Sequence, residues 1–247
     1  MNIKKDKIGI VLVGIGGYGM IYVNEVLEHI NEGNFELRGV VDPYPQNCGK
    51  YNELLEQGIP VYSNIDEFYT NSAADLAIIS TPIQYHCSNV CTALANGSNV
   101  LCEKPAAATV QDVVKMMEQR DKTGKLVDIG YQWSHSDAIL SLKKDILSGR
   151  FGKPLKMKSI VLWPRNWSYY EKSWAGKKKD SSGNLVLDSV AANATAHYLH
   201  NMFYLLGQEI NRSAVLKSVR AETYRANNIE NYDTAVIRAI TEKGVEI

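Results

Sequence analysis

The chain has 247 residues, 45% hydrophobic and 22% charged, a balance typical of globular proteins that admits one or two domains. Its 27 basic and 27 acidic side chains cancel, so no global field favours nucleic acid or an anionic membrane surface. No apolar run reaches the roughly 20 residues that span a bilayer, and Cys48, Cys87, Cys91 and Cys102 fit no zinc or disulfide spacing, so no metal site is expected.

The opening stretch, MNIKKDKIGIVLVG, is basic and then apolar. It passes directly into a glycine-rich turn without a small-residue cleavage site, so it reads as a first strand and the protein as cytoplasmic. Strand-like segments follow at Lys7–Val13, Glu36–Asp42, Ile59–Tyr62, Asp75–Thr81, Asn99–Glu103 and Lys125–Gly130. Helical patterns at Tyr18–Ile30, Gly49–Gln57, Ile65–Thr70, Tyr85–Asn96 and Thr109–Thr123 alternate with them, and Gly33, Gly58, Gly97 and Gly124 stand where C-terminal caps belong. Regular strand–helix alternation with short links predicts an α/β domain, a doubly wound parallel sheet over residues 1–130.

Beyond residue 130 the rhythm changes, which predicts a second, α+β domain over 131–247. A helix at Asp137–Leu147 leads to a long strand candidate, PLKMKSIVLW, at 154–163. An irregular aromatic loop at Pro164–Gly183 follows; its GKKKD run reads as a solvated face rather than a phosphate patch. A single long helix is expected over NLVLDSVAANATAHYLHNMFYLLG, closing at Gly207. Two alternating strands, Ala214–Arg225 and Thr234–Thr241, come next. Lys243-Gly244 reads as a hairpin turn, and the short return after it suggests a fragment of a longer protein whose second domain is incomplete.

The chemistry begins at VLVGIGGYG, where Gly14, Gly16 and Gly19 form G-x-G-x-x-G directly after the first strand and open a helix. In such a loop the first glycine permits the turn, the second lets a pyrophosphate approach the backbone, and the third packs helix on strand. The loop Gly14, Ile15, Gly16, Gly17, Tyr18 and Gly19, with the amides of the helix N-terminus, is therefore a candidate dinucleotide cradle. The second strand ends at Asp42, placed to bond ribose hydroxyls and to repel a 2′-phosphate. NAD is thus expected over NADP, with Lys50 the nearest basic residue that could weaken this preference.

The segments IISTPIQYH and LCEKPAAAT at the ends of the fourth and fifth strands, with the glycine fingerprint, RFGKP and AHYLHNMFYLLG, resemble the Gfo/Idh/MocA oxidoreductase family. The resemblance implies a Rossmann domain followed by an α+β domain with an open, mostly antiparallel sheet. It implies hydride transfer between NAD and a hydroxyl of a sugar, polyol or related compound, and a homo-oligomer in full-length form. It places Ser80, Thr81, Pro82 and His86 along the cofactor, and Glu103, Lys104 and a rigid Pro105 beside the nicotinamide. Lys104 would there bind or polarise a substrate hydroxyl and share its proton.

Oxidising a carbinol also calls for a base, and histidine suits neutral pH. Aligned with the family motif, His197 takes the place of the catalytic histidine, with His200 three residues on as the alternative. Asn193 stands where an aspartate is usual, and His200 where a later acid is usual. Asp188, five residues before Asn193, could restore the missing charge if the helix begins with an irregular turn. Trp163, Trp167, Trp174 and Tyr169 offer faces for a sugar, and Arg165 a fork for a carboxylate or phosphate. Tyr131, Gln132 and Trp133 are further contact candidates. Two other readings stay open: a glycoside hydrolase working by transient oxidation with bound NAD, and a non-catalytic dinucleotide-binding regulator, which the amide at 193 favours.

Overall fold

β1 (Ile8–Val13) is apolar on both faces because both are buried. Val11 and Val13 enter one core, while Ile10 and Leu12 enter the other. The computed structural model describes residues 7–247. The chain divides into two compact units, the first ending at Gly130 and the second running from Tyr131 to Ile247.

In the first unit β1 is followed by α1 (Gly19–His29), β2 (Phe35–Val41), α2 (Tyr51–Glu56), β3 (Val61–Tyr62) and α3 (Ile65–Asn71). Then come β4 (Leu76–Ile79), α4 (His86–Ala95), β5 (Asn99–Cys102), α5 (Val110–Thr123) and β6 (Val127–Ile129). The strands form one parallel six-stranded sheet in the order β3-β2-β1-β4-β5-β6. Val23 and Leu27 of α1 and Leu54 of α2 cover one face; Phe68 of α3, Val90 and Leu94 of α4 and Met116 of α5 cover the other. This is the doubly wound α/β sheet expected from the alternation of segments. The strand order reverses between β1 and β4, and in such sheets ligands bind at the crevice beyond the strand ends there. The helix starts follow local chemistry: Asn64 caps α3 through the Glu67 amide (2.9 Å), and Thr109 caps α5 through that of Asp112 (3.1 Å).

The second unit contains α6 (Asp137–Leu147), α7 (Trp167–Tyr170), α8 (Ala196–Leu205) and the antiparallel pair β7 (Leu216–Tyr224) and β8 (Thr234–Thr241). The hairpin at Lys243-Gly244 forms, with Gly244 at φ +79°, and Ile247 exchanges backbone bonds with Ala239 at 2.8 Å.

Two expectations are corrected. Residues 154–163 are not a strand. A strand exists only against a neighbour, and this segment meets one at a single bridge, Lys156 with Glu246, while Leu155, Ile160 and Leu162 stay exposed. Nor is 184–207 one helix. Leu187 adopts φ +50°, a π-helical turn occupies Val190–Ala194, and the α-helix starts only at Ala196. Hydrogen bonds of Asp188 to groups on either side of it, described below, hold the chain out of helical form there.

Candidate functional site

In the first unit the crevice is built by glycines. Gly14, at φ +84°, lies so close to the end of β4 that a Cβ would come within 2.8 Å of the Thr81 amide nitrogen. Ser80 donates its hydroxyl to the Gly14 carbonyl at 2.6 Å, and a Cβ on Gly19 would run into that same carbonyl and into Ser80 Oγ. Ser80 thus fastens the loop. Gly16 differs, for a Cβ there would meet no protein atom nearer than Asp42 Oδ2 at 3.9 Å. Nothing in the protein itself requires a glycine at that position, whereas a pyrophosphate lying on the backbone would. Helix α1 carries no acidic residue in its first turn and no side-chain cap, which leaves its terminal amides and partial positive charge for an anion.

Asp42 stands just past the end of β2. Its Oδ2 accepts from the amides of Ile15 (3.0 Å) and Gly16 (3.3 Å), and Oδ1 accepts from Tyr44 (2.9 Å). A carboxylate has about four acceptor positions, so one remains for a ribose hydroxyl. By these tests the residues fit a dinucleotide.

The loops after β4 and β5 are joined by His86. The ring is 1% exposed, with Nε2 2.8 Å from the Thr81 carbonyl oxygen and Nδ1 2.9 Å from that of Pro105. Burial lowers its pKa, against the pull of the carbonyls of Thr81, Pro105 and Ala106 and of Glu103. Both ring nitrogens face inward, so His86 shapes the crevice and does not line it. Glu103 behaves similarly. It is 8% exposed, accepts the Tyr22 hydroxyl at 2.6 Å and the Lys104 amide at 3.1 Å, and leaves a side chain at Gly130 no comfortable room. Burial and the Glu103 carboxylate push the Tyr22 pKa up, so its hydroxyl keeps the proton it donates. The Lys104–Pro105 peptide is cis, and Lys104 is half-buried. Tyr18 is exposed, while Thr81 accepts from Asn89 at 3.2 Å and Pro82 precedes the short turn into α4.

The second unit gathers the histidines of α8 with Tyr131 and Trp133. His197 is 9% exposed, its ring stacked on Trp133 (centroids 5.0 Å apart) with Tyr131 edge-on at 5.9 Å. His200 stacks on Tyr131 at 4.0 Å and on Tyr204 at 6.3 Å. Ser134 Oγ lies 2.9 Å from both His200 Nδ1 and Asn201 Oδ1. The amide oxygen can only accept, so the serine proton goes to Asn201. His200 Nδ1 then donates to the serine oxygen. Sequence reasoning missed Ser134 and Tyr204; the only signals were a hydroxyl beside Trp133 and an aromatic four residues after His200.

Asp188 is 4% exposed. Oδ2 accepts the Gly176 amide at 2.7 Å and Oδ1 accepts the Asn193 side-chain amide at 2.8 Å across the π-helical turn. The turn brings Asp188 and Asn193 together, and Ser189 caps it through the Ala192 amide (3.1 Å). Nearby is a cavity of about 200 Å³, whose walls include Trp163, Arg165, Tyr169, Tyr170, Asp188 and Asp233. Burial, ahead of the neighbouring carboxylates, raises the pKa of Tyr169 and Tyr170, so both stay hydroxyl donors. Trp167 is in α7 and Trp174 packs edge-on to Tyr169; neither lines the cavity. Sequence reasoning missed the wall from the β7–β8 connection, Asn227 to Asp233, whose signal was a run of Asn and Asp between two strands.

The model of an oxidoreductase family with an NAD-binding Rossmann fold, Gfo/Idh/MocA, matches residues 8–131, half of the chain. The chain belongs to the Gfo/Idh/MocA oxidoreductase family. Among the relatives of this Gfo/Idh/MocA protein are an inositol 2-dehydrogenase of Rubrobacter xylanophilus, 24% identical over 85% of this chain and 55% of that protein, and the rhizopine catabolism protein MocA of Rhizobium meliloti, 26% identical over 80% and 57%. The chain therefore spans a little over half the length of these relatives. The crystal structure of the WlbA dehydrogenase from Bordetella pertussis, in complex with NADH and UDP-GlcNAcA, shares the fold at a TM-score of 0.82, with 24% identity over 98% of this chain and 69% of that one.

Proposed function

We propose that this Gfo/Idh/MocA protein takes part in the NAD-dependent oxidation, or the reverse reduction, of a CH–OH group on a sugar, polyol or related compound, with residues 1–130 binding the dinucleotide and 131–247 the substrate. The observation that carries the reading is Gly16, a glycine that no protein atom requires, beside the Asp42 carboxylate with one acceptor position left. The loop from Gly14 to Gly19 and the amides of α1 hold the diphosphate, Asp42 holds the ribose, and its charge selects NAD over NADP. NAD supplies the hydride acceptor. Glu103, His86 and the Lys104–Pro105 turn set the shape of the crevice, and Lys104 binds or polarises the reacting hydroxyl. His197 takes the hydroxyl proton at a ring nitrogen, with His200 held in its stack. Asp188 supplies, through Asn193, the negative charge that the family motif places at residue 193.

The test is calorimetric titration of the chain with NAD and with NADP, followed by an absorbance assay at the nicotinamide band over a panel of polyols and sugars. NAD heat without NADP heat, together with turnover on at least one hydroxyl compound, is the expected result. Absence of heat with either coenzyme overturns the reading. Coenzyme binding with no turnover, unchanged in Lys104→Met, favours instead a dinucleotide-binding regulator, to which the amide at 193 lends support.

A further inference from the structure

The cavity of the second unit has a charge inventory that narrows the kind of hydroxyl compound it accepts. Among the described residues Arg165 is the only cationic side chain in its wall. Its guanidinium carbon lies 4.3 Å from the centre of the Trp163 ring and 4.9 Å from that of Tyr169, so two aromatic faces hold the group in place. Nε is buried and meets no acceptor, and among the described residues Arg165 forms no ion pair. A half-buried guanidinium in this state has a donor without an acceptor.

The two carboxylates in the same wall are engaged by other donors, although their charges remain in its field. Asp188 accepts from the Gly176 amide and from Asn193. Asp233 accepts from the backbone amides of Ala226 (2.9 Å) and Asn227 (2.8 Å), from the Asn227 side chain (2.8 Å) and from the Thr234 hydroxyl (3.1 Å). Their fields still reach the cavity and work against a group with two negative charges. A single negative charge suits one fork of parallel N–H donors. At about 200 Å³ the space is below the roughly 300–1,000 Å³ of pockets for drug-sized ligands, and it suits one ring. The tyrosine hydroxyls and the Trp163 face complete a lining for a polyhydroxylated ring.

We infer that this cavity binds a carboxylate carried on a sugar-like ring, with Arg165 recognising the carboxylate, so that the substrates are sugar acids rather than neutral or phosphorylated sugars. The inference rests on the reading of residues 131–247 as the substrate-binding part, and it narrows that reading to one chemical class.

Glucose, glucuronate and glucose 6-phosphate share a ring and differ only at carbon 6, so they serve as probes. Each is titrated calorimetrically into the full chain, into Arg165→Lys, which keeps the charge without the fork, and into Arg165→Gln. Thermal melting verifies that each variant is folded. Glucuronate is expected to bind at least about tenfold more tightly than either of the others. That preference should shrink in Arg165→Lys and fall to within about threefold in Arg165→Gln. Equal binding of glucose and glucuronate, a lead for the phosphate, no binding of any probe, or a preference that survives Arg165→Gln each overturns it. NAD is titrated into the same preparations. NAD heat without a carboxylate preference sinks only the present inference, whereas no NAD heat sinks the dehydrogenase reading whatever the sugars do.

Discussion

Gly16 and Gly19 lie three residues apart in one loop and are glycine for different reasons. At Gly19 the reason is inside the protein, since a methyl group would strike the Gly14 carbonyl and Ser80 Oγ. Gly19→Ala should therefore cost about 3 kcal/mol of stability in chemical denaturation, as overpacking against rigid backbone does. At Gly16 the nearest atom to a built Cβ is 3.9 Å away and the backbone lies outside the left-handed region. Gly16→Ala should leave stability within about 0.5 kcal/mol while weakening NAD at least about tenfold. Wild-type affinity in Gly16→Ala would refute the cradle. Both glycines were legible in the sequence because spacing alone encodes them. The inward commitment of His86 and Glu103 was not, for a side chain's direction depends on partners distant in sequence: Pro105 for the one and Tyr22 for the other.

At the scale of elements, legibility followed how locally each segment is determined. Strands and helices of the first unit carry their own periodicity and caps, so alternation sufficed to place them. The stretch 184–196 misled because its apolar spacing is helical, while Asp188 and Ser189 bond groups that interrupt it. Helix α6 holds another feature that periodicity would not reveal. Lys143 is fully buried on it, donating to the Arg212 carbonyl at 2.6 Å with its ammonium 3.7 Å above the Tyr204 ring of α8. Burial pulls its pKa from 10.5 down to about 8. The unfolded chain keeps that proton up to about 10.5. Between pH 8 and 10.5 the unfolded state thus binds more protons than the folded one, and stability rises with pH. Lys143→Met removes this contribution and leaves all others in place. The wild-type melting temperature minus that of Lys143→Met should therefore grow across that range; a constant difference would count against it.

Over the whole molecule the two units are unequal. Among the described residues, twenty-five buried apolar side chains lie before Gly130 and only seven, from Ala175 to Ile247, after it. The parallel sheet buries both faces under helices, whereas β7 is exposed along nearly its whole length. The parallel, doubly wound form of the first sheet was legible because short links between alternating strands and helices require crossovers. The extent of the second sheet was not, since residues 154–163 show strand chemistry but find a neighbour only at Glu246. Burial of apolar surface dominates stability, so the second unit should melt first in scanning calorimetry. A ligand that binds only the folded state stabilises it by about 2.7 kcal/mol at a hundred times its Kd. NAD at that excess should raise the later transition and leave the earlier one where it was, and Gly16→Ala should cut the shift by about half or more. Movement of the earlier transition alone would assign the dinucleotide to the wrong half of the chain. A single transition that moves as a whole would mean that the two cores do not unfold separately.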